Sequence, residues 1–331
     1  MIQPVTSSAQ PRFSPDRAIE IQALSHTYNR GRLEVLKEIN LNFGTGFFGL
    51  LGANGAGKST LMRILCTILK PTQGVVRVHG HDVTKEILQV RALLGYLPQT
   101  FGAWRLHRTE EVLDTLARLS GMRDRAHRKA RVEEVLEMVG LSDVADRKVK
   151  KLSGGMVRRL GVAQALVHEP QVIIVDEPTV GLDPEERMRF RQLMTRLGTD
   201  RTILQSTHIV ADLGGGCQEI AILDEGQVVF QDSPSALLSE AEGTVFTATV
   251  EHRGAPLIEA AFEIVSRIPR GSEMQIRFVS DGNQALPDGA EQVDKPSLEE
   301  AYLAFMLKRG RAEAARENQE TNPPAEQPKA A

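Results

Sequence analysis

The sequence predicts an α/β fold: a mostly parallel sheet with helices on both faces, an all-helical segment inserted into it, and a small α+β appendage behind it. Three observations carry that expectation. Continuous apolar strands such as "FFGLL" and "VIIV" alternate with amphipathic helices, as in a sheet buried on both sides. From about Leu106 to Val167 the pattern turns charged and 3.6-periodic, in "TEEVLDTLARLSG", "RKARVEEVLEMVG" and "GMVRRLGVAQALV", with no strand candidate inside it. After about Ser239 short strand and helix patterns mix again, in "TVFTATVEH", "LIEAAFEIV" and "EMQIRFVS".

Taken in order, "MIQPVTSSAQPRFSPDR" is polar, rich in Pro and Ser and without the apolar run of a signal peptide, so residues 1–17 read as a disordered leader. "AIEIQALSHTY" and "LNFGTGFFGLLG" read as strands, the second running through a Gly-rich turn into the apolar helix "KSTLMRILCTIL", which Pro71 stops. "GVVRVHGHDV" reads as a strand ending in a turn, "TKEILQVRALL" as a helix and "GYLPQ" as a short strand. His79 and His81 belong to that Gly-bearing turn rather than to a metal site. Beyond the helical segment, strands return at "QVIIVDE", "RTILQST" and "EIAILDEGQVVFQ", and a helix opens after Asp183-Pro184. "SLEEAYLAFMLKRGRAEAARE" reads as a closing helix and "NQETNPPAEQPKAA" as a disordered end. The expected organisation is a main domain over 18–239, an appendage over 240–311 and a tail over 312–331.

Apolar residues fill 41% of the 331 positions, ample for a sizeable core. A formal charge of −3, from 40 Lys+Arg against 43 Asp+Glu, excludes a polycation that coats nucleic acid, and no nucleic-acid partner is expected. Cys66 and Cys217 stand apart from each other and from any His/Cys cluster, so neither a disulfide framework nor a zinc site is supported and a reducing cytosol fits. The longest apolar runs fall well short of the roughly 18–20 residues that cross a bilayer.

"GANGAGKST" matches G-x-x-x-x-G-K-[ST] with Gly52, Gly57, Lys58 and Ser59, between an expected strand and an expected helix. Glycines there let backbone N–H groups turn toward a polyphosphate, and the helix start adds partial positive charge. Lys58 is placed for the β- and γ-phosphates, Ser59 for Mg²⁺, and Asn54, Gly55 and Thr60 complete the cradle. In "VIIVDEP", Asp176 and Glu177 end a buried strand, where ligands meet an open α/β sheet. Asp176 then faces the Mg²⁺ shell and Glu177 polarises the attacking water. A second anion socket appears at "LSGGM": Ser153 is a helix N-cap, and Gly154-Gly155 leave the helix start uncovered.

With these motifs the sequence resembles the nucleotide-binding subunit of ABC (ATP-binding cassette) transporters over roughly residues 18–235. The family's motifs follow in order: the P-loop or Walker A segment "GANGAGKST", the Q-loop "YLPQ" with Gln99, the signature "LSGGM", Walker B "VIIVDE", the D-loop "GLDP" with Asp183, and the switch histidine His208 in "STHIV". Met156 stands where the signature often ends in Gln, and the serine and glycines of the motif are kept. The resemblance implies a P-loop NTPase fold with an inserted helical subdomain, ATP and Mg²⁺ as ligands, and Tyr28 stacking on adenine. It further implies that Ser59, Gln99 and Asp176 serve the metal, Glu177, His208 and Gln99 the chemistry, and Ser153, Gly154, Gly155 and Asp183 the nucleotide of a neighbouring chain.

A single copy of each motif then implies action as a dimer around ATP, with itself or with a similar subunit. Separate membrane-spanning permease subunits are the other implied partners, which puts the chain at the cytoplasmic face of the membrane. "LSGGM" and "PSLEEAYLAFM" resemble exporter subunits. An importer ATPase and a soluble ABC ATPase outside transport stand as the alternatives. Trp104, in "TFGAWRLH", reads equally as lining a groove for a membrane subunit and as packing between subdomains. The appendage reads as regulatory, dimerising or bracing.

Overall fold

The computed structural model describes residues 17–28, 31–102, 104–280 and 282–321, with the backbone alone for 311–321. The expected leader, apart from Arg17, and the end of the expected tail lie outside the described residues. The chain divides into two compact units, Met1–Gln231 and Asp232–Ala331.

The first unit runs β1 (Ile19–Tyr28), β2 (Leu33–Phe43), β3 (Gly46–Leu51), α1 (Lys58–Leu65), β4 (Gln73–Val78), β5 (His81–Asp82), α2 (Ile87–Leu93), β6 (Leu94–Leu97), α3 (Thr109–Leu119), α4 (Arg125–Met138), α5 (Gly154–Leu166), β7 (Val172–Asp176), α6 (Pro184–Leu197), β8 (Thr202–Thr207), β9 (Glu219–Asp224) and β10 (Gln227–Asp232). Six strands form one sheet in the order β10-β9-β3-β8-β7-β6, and β9, β3, β8, β7 and β6 pair in parallel. β3 and β7 are buried at every position, which is why their sequences are unbroken apolar runs rather than alternations.

A second, antiparallel sheet, β2-β1-β4-β5, was not expected. "LNFGTGFFGLLG" is accordingly two strands in two sheets, β2 ending at Phe43 and β3 starting at Gly46. Gly46, at φ 144, takes a conformation that a residue with a side chain resists, so the chain changes sheets there. Cross-strand pairs such as Ile19↔Phe43, Ile21↔Leu41 and Ile21↔Val76 close the buried face of this sheet. Those residues share one core with Leu61 and Ile64 of α1 and with Ile174 and Leu204 of the parallel sheet, so the helix that follows the Gly-rich loop is anchored by both sheets.

The expected helical segment is α3, α4 and α5, and among the described residues its only β-type pairing is an isolated bridge between Arg108 and Lys148. Arg131 of α4, 3% exposed, donates to Leu166 O (2.7 Å) and Val167 O (3.2 Å) and so satisfies the last carbonyls of α5. α5 packs on β6 through glycines: a Cβ at Gly95 would overlap Ala165 O, and one at Gly161 would lie 2.6 Å from Leu97 Cδ1. α6 has the expected start, with the Asp183 carboxylate accepting from Glu186 N (2.9 Å) and Pro184 in the first turn.

The second unit contains α7 (Pro234–Glu240), β11 (Val245–Glu251), α8 (Ala255–Ala261), β12 (Glu263–Arg270), β13 (Glu273–Val279), β14 (Glu291–Gln292) and α9 (Leu298–Thr321). Its antiparallel sheet, in the order β12-β13-β11-β14, builds a small core from Ala248, Ile276 and Phe278 against Ala255 and Ile258 of α8. The unit begins before residue 239 because α7 packs on α9, where Lys308 Nζ donates to Glu240 O (2.5 Å). α9 continues to Thr321, past residue 311 where the sequence reading ends the appendage. No helix among the described residues is long and apolar enough to cross a membrane.

Candidate functional site

The buried strand β3 delivers the chain into the loop Gly52–Gly57. Gly57, at φ 108, lies against β2: a Cβ there would be 2.7 Å from Leu36 Cδ2 and 3.0 Å from Val35 O. Gly55 has open space around it but a φ of 92, so conformation rather than room requires glycine. α1 then starts at Lys58, whose ammonium donates to Gly52 O (2.7 Å) and Ala53 O (3.0 Å) and lies 3.5 Å from Glu177 Oε1.

One cleft of about 360 Å³ opens over this loop. Its walls bring together Tyr28, Asn54, Gly55, Gly57, Lys58, Ser59, Thr60, Gln99 and Glu177, with Leu33 and Val35 as apolar lining. Tyr28 OH is 3.3 Å from Thr60 Oγ1, and the Tyr28 and His26 rings stand nearly perpendicular with centroids 4.6 Å apart.

β7 carries Asp176 and Glu177 to its end, 2% and 4% exposed. Glu177 adopts φ 47, a left-handed conformation that costs a residue with a Cβ roughly 1–3 kcal/mol and persists only where its surroundings impose it. Its N–H donates to Ser206 Oγ (3.0 Å) and Ser206 O (3.3 Å). The Ser206 hydroxyl in turn donates to Asp176 Oδ1 (2.6 Å). Glu177 Oε2 accepts from His208 Nδ1 at 2.6 Å, so Lys58, Glu177 and His208 form a contiguous line of charged and polar groups. Burial first, and then the nearby Asp176 carboxylate, push the Cys66 thiol well above its ordinary pKa.

The remaining expected residues lie outside that cleft. Ser153 accepts from Met156 N (3.2 Å) and caps α5, as its position before the Gly pair implied. Gly154 faces open space, whereas a Cβ at Gly155 would lie 2.8 Å from Glu186 Cγ. Glu186 pairs with Arg159 Nε at 3.1 Å and, as noted, its N–H is held by Asp183. The signature and D-loop residues thus form one neighbourhood, and none of Ser153, Gly154, Gly155 and Asp183 lines the P-loop cleft of the same chain. Gly52 lies beneath the loop, where a Cβ would overlap Leu223 O.

Sequence reasoning missed Ser206, which looks like any strand serine, and a buried pairing of Thr179 with Asp212. Thr179 Oγ1 donates to Asp212 Oδ2, and Thr207 Oγ1 lies 3.3 Å from the same oxygen, which ties the stretch after Walker B to the turn after His208. The acid four positions beyond His208 was the available signal. Trp104 is exposed and its ring lies 5.9 Å from that of His107. At the start of β5, just past the turn, His81 Nδ1 sits 2.9 Å from Glu86 Oε1.

A family model described as ABC transporter matches residues 36–180. The Nod factor export ATP-binding protein I of Paraburkholderia xenovorans is 36% identical over 231 residues, which cover 69% of this chain and 75% of that protein. The daunorubicin/doxorubicin resistance ATP-binding protein DrrA of Streptomyces peucetius is 37% identical over 227 residues, 68% of each chain. Among solved structures, the dimeric post-hydrolysis state of the ATP-binding cassette MJ0796 bound to ADP and Pi aligns with a TM-score of 0.60 and 28% identity, covering 65% of this chain and 98% of that one.

Proposed function

This chain belongs to the family of ABC transporter ATP-binding subunits and is an ATPase, and from that premise we propose that it drives export through separate membrane-spanning subunits, as a dimer closed around ATP at the cytoplasmic face of the membrane. The observation that carries the dimer is the separation of the two anion sockets. The P-loop cleft holds Lys58 and Glu177, while Gly154, at the uncovered start of α5, is not part of its lining, has open space around it and serves a neighbour's nucleotide. The dimeric cassette among the structural neighbours and the export and drug-resistance names of the relatives support the same reading.

In this reading Tyr28 stacks on adenine, and the backbone of Gly52–Gly57 with Asn54, Ser59 and Thr60 cradles the phosphates. Lys58, now resting on the Gly52 and Ala53 carbonyls, meets the β- and γ-phosphates. The donor set fits Mg²⁺: the Ser59 hydroxyl and the Gln99 amide line the cleft, and the Asp176 carboxylate is next along the chain from Glu177, all hard oxygen ligands. When bound, the ion supplies positive charge against the phosphate oxygens. Glu177 orients and polarises the attacking water, and its bond to His208 Nδ1 fixes the imidazole so that Nε2 is the nitrogen offered to the γ-phosphate. Ser153, Gly154, Gly155 and Asp183 close over the ATP of the second ATP-binding subunit.

Glu177→Gln tests this. Hydrolysis should fall by about 10² or more, because the base is lost, while ATP stays bound. Size-exclusion chromatography should then show a dimer that forms only with ATP. A monomer that binds ATP without dimerising, or a variant that still hydrolyses, would overturn the reading.

A further inference from the structure

Arg158, one turn into α5, does not reach toward the nucleotide end of its helix. Its guanidinium donates to main-chain carbonyls alone: Nε to Pro178 O (2.8 Å), Nη1 to Pro98 O (3.1 Å) and Gln99 O (2.7 Å), and Nη2 to Asp176 O (3.1 Å) and Glu177 O (2.8 Å). Every edge of the planar fork is used, a geometry that the point charge of a lysine does not reproduce. Three of the acceptors belong to consecutive residues, Asp176, Glu177 and Pro178, the turn in which Glu177 is held at φ 47. The other side of that turn is held by Ser206 through the Glu177 N–H. The strained backbone under the catalytic carboxylate is therefore clamped between Ser206 and Arg158. The last two acceptors flank Gln99, so the same cation also fixes the second residue expected to respond to the γ-phosphate.

We propose that Arg158 is a positioning residue for hydrolysis, joining the signature helix, the Glu177 turn and the Gln99 turn into one rigid piece. Seating of α5 on a neighbour's nucleotide and the aim of this chain's own Glu177 and Gln99 are then set together, and each half-site senses the other through a single side chain. This linkage rests on the ATP-closed dimer proposed above. Arg159, the next residue, faces the other way, donating to Val139 O (3.1 Å) and Gly140 O (2.7 Å) and pairing with Glu186, so the two arginines divide α5 between the catalytic turn and the helical segment.

The test uses the full chain as Arg158→Lys and Arg158→Gln. Binding of a fluorescent ATP analogue to the dilute monomer should stay within about twofold of the parent, while kcat falls about 10- to 100-fold with little change in KM, the signature of a misaimed group rather than a lost binding contact. Lysine should not rescue. In the Glu177→Gln background, Arg158→Lys should raise the ATP concentration for half-maximal dimerisation. An unchanged kcat in Arg158→Lys would overturn the proposal, as would loss of monomer affinity in both variants in step with kcat, which would make Arg158 a folding residue only. If Glu177→Gln itself stays monomeric with ATP, the closed dimer falls and the linkage with it. If it dimerises and the double variant does so at the same ATP concentration, the linkage alone falls.

Discussion

Ser206 illustrates how much of the site depends on residues with no chemistry of their own. Its hydroxyl donates to Asp176 Oδ1 and accepts from Glu177 N, and it is fully buried. In Ser206→Ala a buried carboxylate loses a donor and a buried N–H an acceptor, which costs about 1–3 kcal/mol for the unsatisfied groups. Thermal unfolding of the first unit should move down accordingly, by roughly 2–4 °C per kcal/mol for a unit of its size. In steady-state assays kcat should fall more than the affinity for ATP, because the Glu177 turn relaxes while the P-loop is untouched. A variant with the parent's Tm and kcat would show that the turn holds its shape without this hydroxyl. Gly57, Lys58, Asp176 and Glu177 stand out in the sequence because phosphate and metal chemistry demand those residue types at fixed spacings, whereas His208 is singled out only by the resemblance to the family. Ser206 and Arg158 do not stand out, because the partners of Ser206 lie 29 and 30 positions away and those of Arg158 lie 18 to 20 and 59 to 60 positions away, and a strand serine or a helix arginine has no local signature.

The elements themselves were legible where burial is uniform or strictly periodic. β3, β7 and the helices of the inserted segment announce themselves, whereas β2, whose exposed and buried positions interleave in "LEVLKEINLNF", does not separate from its surroundings without its partner β1. The packing of α5 on β6 belongs to this level, and two glycines separate its roles. Gly95→Ala places a methyl group on the Ala165 carbonyl, main chain that cannot swing aside, so overpacking should cost about 1–3 kcal/mol or more and lower Tm. Gly154→Ala meets nothing within 4 Å, and exchanging Gly for Ala where the native conformation allows it restricts the unfolded chain, a gain of about 0.4–1 kcal/mol, so Tm should hold or rise. Hydrolysis should nevertheless be lost in Gly154→Ala, because the added methyl group fills the face reserved for a neighbour's nucleotide. Equal activity in Gly154→Ala and the parent would remove that face from the mechanism.

At the scale of the whole molecule, the division at Gln231/Asp232 assigns nucleotide binding to one unit and leaves the other with its own sheet, its own apolar cluster and its own helix pair. All the residues expected to meet ATP, from Tyr28 to His208, fall in the first unit. A ligand stabilises only the cooperative unit that binds it, by RT ln(1 + [L]/Kd), which is about 2.7 kcal/mol at a hundredfold excess over Kd. If each unit unfolds as its own cooperative block, calorimetry of the Glu177→Gln chain should resolve two transitions, and saturating Mg-ATP should raise only one of them. The ATP-insensitive transition should disappear in a chain ending at residue 231 while the ATP-sensitive one remains. One transition that shifts as a whole with ATP would instead mean that the second unit shares the cooperativity of the first. Its antiparallel sheet would then act as a brace on the motor, and shortening the chain should lower the ATP-sensitive Tm as well.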